Sequence, residues 1–109
     1  MEKGMPKSSV SNDYEALHAG FRWQVPQRMN IAELCCARWT GDAGRTAIVF
    51  DDGSGSVRRF GYREIDRDAR RLANALAALG VRRGDRVAIV LPQRPETAVA
   101  YFAVLRLGA

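Results

Sequence analysis

Leu79-Gly80-Val81-Arg82-Arg83-Gly84-Asp85-Arg86-Val87-Ala88-Ile89-Val90-Leu91 joins the end of a predicted helix to an apolar run, and its reading sets the fold class. Gly80 supplies the left-handed position that closes a helix, and Arg82 to Asp85 make a turn. Val87 to Leu91 is apolar at every position, so it reads as a short strand buried on both faces, as in a parallel sheet. Upstream, Ile65, Ala69, Leu72, Leu76 and Leu79 step by four and three along the chain. That spacing lines one side of a helix over Tyr62 to Leu79, the crossover that such a strand requires. Downstream, Pro95 suits the first position of a final helix, Glu96 complements its N-terminal dipole and Gly108 closes it.

Toward the N-terminus, Asp52-Gly53-Ser54-Gly55 separates the β-prone runs Ala47 to Phe50 and Val57 to Phe60, a hairpin signal because glycine tolerates positive φ. Asn30 is a good N-cap with Glu33 at the third helical position, and Ile31, Leu34, Cys35 and Trp39 follow at helical spacing. A helix over Ile31 to Trp39 is predicted, ended by Gly41 and Gly44. Residues 13–29 carry a short stripe of Tyr14, Leu17 and Phe21 and then Pro26, and are expected to pack on the domain as an extension. Residues 1–12 are polar and aperiodic and read as a mobile leader. The order helix, β-hairpin, helix, parallel strand, helix is that of an α/β fold over residues 30–109.

The chain has 109 residues, 47% of them hydrophobic and 27% charged, which is the composition of one small globular domain. The formal net charge of +5 raises the question of an anionic partner. The arginines are interspersed with acids, as in Arg63-Glu64-Ile65-Asp66-Arg67-Asp68, which is the pattern of a solvated, ion-paired helix face rather than of a nucleic-acid surface. Cys35 and Cys36 are adjacent and cannot staple distant segments, so a reducing, cytoplasmic setting is expected. No run approaches the ~18 apolar residues of a membrane span.

Each candidate for chemistry has a plainer explanation. Gly53-Ser54-Gly55 is followed by a strand, with Arg58 where a dinucleotide fingerprint needs its third glycine. The Gly80 to Gly84 stretch lacks the lysine of a phosphate-binding loop, the only lysines being Lys3 and Lys7. Arg83-Gly84-Asp85 reads as a tight turn. His18 is the one histidine, so a zinc site built on paired histidines cannot form. Cys35 and Cys36 have no nameable base beside them. Asp51 with Asp52, and Asp66 with Asp68, fall at turn and helix-surface positions where carboxylates are usually solvated.

Three stretches in order resemble the start of AMP-forming acyl-CoA synthetases of the adenylate-forming superfamily, nearest to its medium-chain and aromatic-acid members. Phe21-Arg22-Trp23-Gln24-Val25-Pro26-Gln27-Arg28-Met29-Asn30-Ile31-Ala32 is similar to a Trp-x-Val-Pro and Asn-x-Ala signature. Phe60-Gly61-Tyr62-Arg63-Glu64-Ile65 is similar to the family's Thr-Tyr-x-Glu-Leu, with Gly61 in place of the threonine. Leu79 to Ile89 with Leu91-Pro92-Gln93-Arg94-Pro95-Glu96 is similar to its Gly-Val-x-x-Gly-Asp-x-Val-Ala-Ile and Pro-x-x-Pro-Glu pair.

The resemblance implies that residues 30–109 begin the large N-terminal domain of a ligase, cut short within it. Such an enzyme joins a carboxylate to ATP as an acyl-adenylate and passes the acyl group to CoA, with Mg2+ accompanying the nucleotide. The resemblance also implies that the catalytic, cofactor-binding and metal-binding residues all lie beyond Ala109. The piece alone is then expected to be inactive and to bind no cofactor. Its expected partner is the remainder of the synthetase domain; without it, self-association is expected, with neither nucleic acid nor membrane as a partner. A small basic binding or interaction module, using Arg58, Arg59, Arg82 and Arg83 toward nucleic acid or the Tyr62 to Leu79 helix toward a protein, is the competing reading.

Overall fold

A computed structural model of the chain describes residues 14–109; the leader expected over 1–12 lies outside the described residues. Helix α1 (Tyr14–Gly20) buries none of its residues. Beyond it Phe21 and Trp23 meet edge-on at 5.0 Å, yet Trp23 stays 83% exposed. The hydrogen bonds here are local, Arg22 donating to the carbonyls of Ala19 at 2.9 Å and Phe21 at 2.8 Å. The apolar side chains expected to pack this extension on the domain therefore face solvent.

Asn30 does what a cap residue does, and more. Its backbone is extended, and its Oδ1 accepts from the amides of Ala32 at 2.9 Å and Glu33 at 3.3 Å, starting helix α2 (Ile31–Cys35). Its Nδ2 donates to the carbonyls of Leu105 at 2.9 Å and Arg106 at 3.4 Å, in the last turn of helix α4 (Pro95–Leu107). One amide thus satisfies orphan groups at two helix ends. The predicted continuous helix to Trp39 instead breaks at Cys36 and resumes as a 3₁₀ turn over Ala37–Trp39. That break leaves both Cys36 and Ala37 buried and brings the Trp39 ring within 6.5 Å of Tyr62.

Strands β1 (Thr46–Asp51) and β2 (Val57–Gly61) form the expected hairpin, antiparallel, with an irregularity between Thr46 and Ile48. Gly53 and Gly55 in its loop have positive φ, as its turn chemistry requires. Helix α3 (Tyr62–Ala78) follows directly, its first amide bonded to the Arg45 carbonyl at 3.2 Å. It ends as the sequence predicts. Gly80 is left-handed, its amide meets the Ala77 carbonyl at 3.0 Å, and the Val81 amide reaches back to Leu76 at 3.0 Å, the two bonds of a Schellman closure. Helix α4 opens on Pro95 and closes on a left-handed Gly108 in the same manner.

Two expectations change. Val87 to Leu91 forms no ladder: the β1–β2 pair is the one sheet among the described residues. A strand exists only through a neighbour that takes up its backbone groups, and none of the described segments lies beside it in that way. Leu79 is 82% exposed, whereas Ala73, absent from the predicted stripe, is buried. The core is made of small side chains, Ala32, Cys36, Ala37, Ala69, Ala73 and Ala103, around Ile65 and Val104. Small residues let α3 approach α4, and α2 approach α4, closely. The radius of gyration is 19.7 Å, against about 13 Å for a compact chain of 100 residues.

The double cap gives a test. Asn30→Ala should lower unfolding stability by about 2 kcal/mol, one lost cap plus lost bonds to the α4 carbonyls. Asn30→Asp keeps the acceptor for α2 but sets a carboxylate against carbonyls at the negative end of α4, so it should not recover the loss. Urea unfolding at fixed protein concentration measures both; full recovery in the aspartate variant would show that only the α2 cap matters.

Candidate functional site

Helices α3 and α4 meet around one buried carboxylate. Asp66 on α3 is 6% exposed and accepts from Arg70 Nε, one turn along, at 2.7 Å. Its other oxygen accepts from Arg106 Nη2 of α4. The Nε of Arg106 is itself buried without a hydrogen-bond partner. This corrects the sequence assignment of Asp66 to a solvated surface: docking of α4 covers the face on which it lies. Asp68 remains on the outer side, paired with Arg67 at 2.9 Å, which holds its carboxyl below the usual range.

A carboxylate held by two guanidiniums has its lone pairs committed and is poorly placed to act as a base or to ligate a metal. It serves as a lock between helices. Signals for it exist in the sequence, since Asp66 lies three residues before Ala69 and seven before Ala73, which shares the buried face. Asn30 likewise showed its cap to α2 in sequence, but nothing local announced its bond to α4, 75 residues away.

The other candidates lie apart. His18 stacks on Tyr14 at 5.7 Å in exposed α1. Cys35 is exposed and Cys36 buried, both free. Burial first, and then the negative charge of Asp66, push the Cys36 thiol up to about 11. Asp51 and Asp52 accept from the amides of Gly53 at 2.8 Å and Ser54 at 2.9 Å and so shape the hairpin loop. The bonds to Ser54 hold the Asp52 carboxyl below its ordinary value. In Arg83-Gly84-Asp85, Gly84 has φ of 87° and donates to the Gly108 carbonyl at 2.9 Å, so this turn braces the end of α4. Asp85 accepts from the Arg82 amide at 2.7 Å.

Several arginines are engaged within the chain. Arg38 and Arg45 stack on Trp39 at 4.5 and 4.0 Å, and Arg63 donates to the carbonyls of Thr40 at 2.6 Å and Gly41 at 3.1 Å. Arg58 covers Phe60 at 4.8 Å, and Arg94 lies over Phe50 at 5.8 Å. Two hollows remain. An open cleft of about 1150 Å³ lies between residues 27–33 and the end of α4, bordered by Arg28, Arg83 and Arg106. An apolar groove of about 410 Å³ runs between residues 87–91 and Leu72, Leu76, Ala100 and Val104. Among the described residues no group of three His, Cys, Asp or Glu side chains could hold a metal ion.

What this scaffold belongs to is decided by comparison: residues 37–109, from the 3₁₀ turn through α4, match the AMP-binding enzyme family. The chain belongs to the AMP-binding enzyme family. It is 36% identical over 107 residues to an acetyl-coenzyme A synthetase of Cronobacter sakazakii and 40% identical over 105 residues to one of Nitrosomonas europaea. Each alignment covers 95% of this chain and 16% of the relative. An acetyl-coenzyme A synthetase of Cupriavidus necator is 43% identical over 91 residues, covering 82% of this chain and 14% of that protein. This AMP-binding family chain therefore spans about a sixth of the length of the curated relatives it matches, 16% in the first two. The sequence resemblance singled out medium-chain and aromatic-acid members, whereas these relatives are named for acetate.

Two outcomes test the site as a lock. Asp66→Ala strands the partly buried Arg106 and should destabilise the fold by about 3 kcal/mol, while Asp68→Ala, whose ion pair is exposed, should cost under about 1 kcal/mol. Equal effects in denaturant unfolding would contradict the assignment. The Cys36 thiol, raised from 9.0 to about 11, favours the folded state below pH 9 and withdraws that support as pH climbs from 9 toward 11. Unfolding midpoints should therefore fall over that window and fall less in Cys36→Ala. A thiol reagent at pH 8 should label Cys35 promptly and Cys36 only on unfolding.

Proposed function

We propose that this chain is the opening part of the large N-terminal domain of an ATP-dependent acyl-CoA synthetase. The parent would convert a carboxylic acid, ATP and CoA to acyl-CoA, AMP and pyrophosphate through an acyl-adenylate. The observation that carries the reading is the coverage: alignment with acetyl-coenzyme A synthetases spans 95% of this chain but 16% of theirs. The names of those relatives favour a short acyl substrate such as acetate over a medium-chain or aromatic acid.

The residues present do not fit ATP, Mg2+ or CoA. The chain's lysines are confined to Lys3 and Lys7, and the most enclosed carboxylate, Asp66, is spent on Arg70 and Arg106. Stabilising charge on a transferring phosphoryl group requires preorganised cations and donors aimed at it. In this reading the chain contributes framework, and the isolated chain has no ligase activity. No helix among the described residues is long and apolar enough to cross a membrane, and the free cysteines favour a reducing cytoplasm. Of the arginines that the basic binding module would use, Arg58 is turned onto Phe60.

Acid-dependent exchange of pyrophosphate into ATP decides the matter. The purified chain should show none with acetate, hexanoate or benzoate, and the parent enzyme should exchange most rapidly with acetate. Exchange by the 109-residue chain would overturn the framework role. A parent inert toward all three acids but active in another reaction would overturn the ligase assignment.

A further inference from the structure

The hairpin loop sets an electrophile, a nucleophile and a base side by side. The β1–β2 ladder ends at the pair of Asp51 and Val57, and the chain turns between them. In three turns an aspartate folds its carboxyl over the following peptide to accept from the amide two residues on: Asp42 from Gly44 at 2.9 Å, Asp51 from Gly53 at 2.8 Å and Asp52 from Ser54 at 2.9 Å. Each such fold carries the side-chain carboxyl carbon toward the next backbone nitrogen. That nitrogen belongs to Ala43, Asp52 and Gly53 in turn, and only glycine lacks a Cβ to hinder ring closure. Asp52-Gly53 is the one Asp-Gly pair in the chain, and Gly53 has φ of 79°. Beyond its chain neighbours, no atom lies within 4 Å of where a Cβ on Gly53 would stand. The Gly53 amide also points at a carboxylate oxygen of Asp51, at a distance suited to proton transfer.

We propose that Asp52-Gly53 is a site of self-modification, at which the loop converts Asp52 to isoaspartate through a succinimide, with Asp51 as the base. The Gly53 nitrogen bonds to Asp52 Cγ as its proton passes to Asp51, and the Asp52 hydroxyl takes up that proton and leaves as water. Water then adds at the ring carbonyl that was the main-chain carbonyl of Asp52 and breaks its bond to the nitrogen. The chain now runs through the former side chain, one methylene longer, and a free α-carboxylate stands in the turn. Overall no atom is gained or lost and the charge is unchanged. The attack needs the neutral acid of Asp52, whereas the bonds from Ser54, with a weaker pull from Arg94, hold that carboxyl below its ordinary value. Conversion is therefore slow at neutral pH and faster in mild acid. The bonds invoked lie within the loop, so the proposal is independent of the ligase reading.

Ageing of the purified chain in heavy-oxygen water at mildly acidic pH, followed by cleavage after arginine and mass spectrometry, tests it. Reopening of the succinimide should leave one heavy oxygen in the peptide of residues 46–58. Backbone fragmentation should place the isoaspartate at Asp52, about tenfold or more above any at Asp42. Asp51→Asn keeps an oxygen that accepts from Gly53 but loses the base, and should slow conversion about tenfold or more with the circular dichroism unchanged. Asp52→Glu keeps the charge, cannot close the five-membered ring and should abolish the label. Equal labelling at Asp42, a rate indifferent to Asp51→Asn, label surviving in Asp52→Glu, or an unlabelled wild-type chain would each overturn the proposal.

Discussion

Arg106 carries its guanidinium into the seam between α3 and α4, where Asp66 accepts from it, while its backbone carbonyl receives the side-chain amide of Asn30. Three helices are registered at this one residue. Around it the core is built mainly of alanines, whose burial contributes little each, so position is set by directed polar bonds more than by apolar volume. The arrangement carries a cost, since Arg106 Nε is buried without a partner. A buried ion pair specifies geometry even where it adds little net stability.

That constraint organises the rest of the chain. With α3 and α4 fixed, the turn at Gly84 can bond to Gly108, and residues 87–91 are carried along the groove beside Leu72 and Leu76. The break at Cys36 swings Trp39 toward Tyr62, and Arg45 closes over both rings. The hairpin joins this frame through the bond from the Tyr62 amide to the Arg45 carbonyl.

The basic charge balance is also clarified. A net charge of +5 is compatible with a nucleic-acid surface, yet arginines in contact with Trp39, Phe60, Phe50 and Asp66 are used in holding the fold. Residues 37–109, which match the AMP-binding enzyme family, include most of these contacts. The described residues place no base, nucleophile and cation together in either hollow.

The sequence by itself determined the start of α2, the ends of α3 and α4, the hairpin and the family. Capping, glycine conformation and turn chemistry are local, so Asn30, Gly53, Gly80 and Gly108 could be read from their neighbours. Tertiary structure alone decided what lies between those signals. Asp66 became a buried lock because α4 covers it, Leu79 stayed outside while Ala73 went in, and Val87 to Leu91 remained unpaired because no described strand lies beside it. Burial and strand pairing belong to relations between distant segments, and a periodic pattern shows which residues can be buried without showing what will cover them.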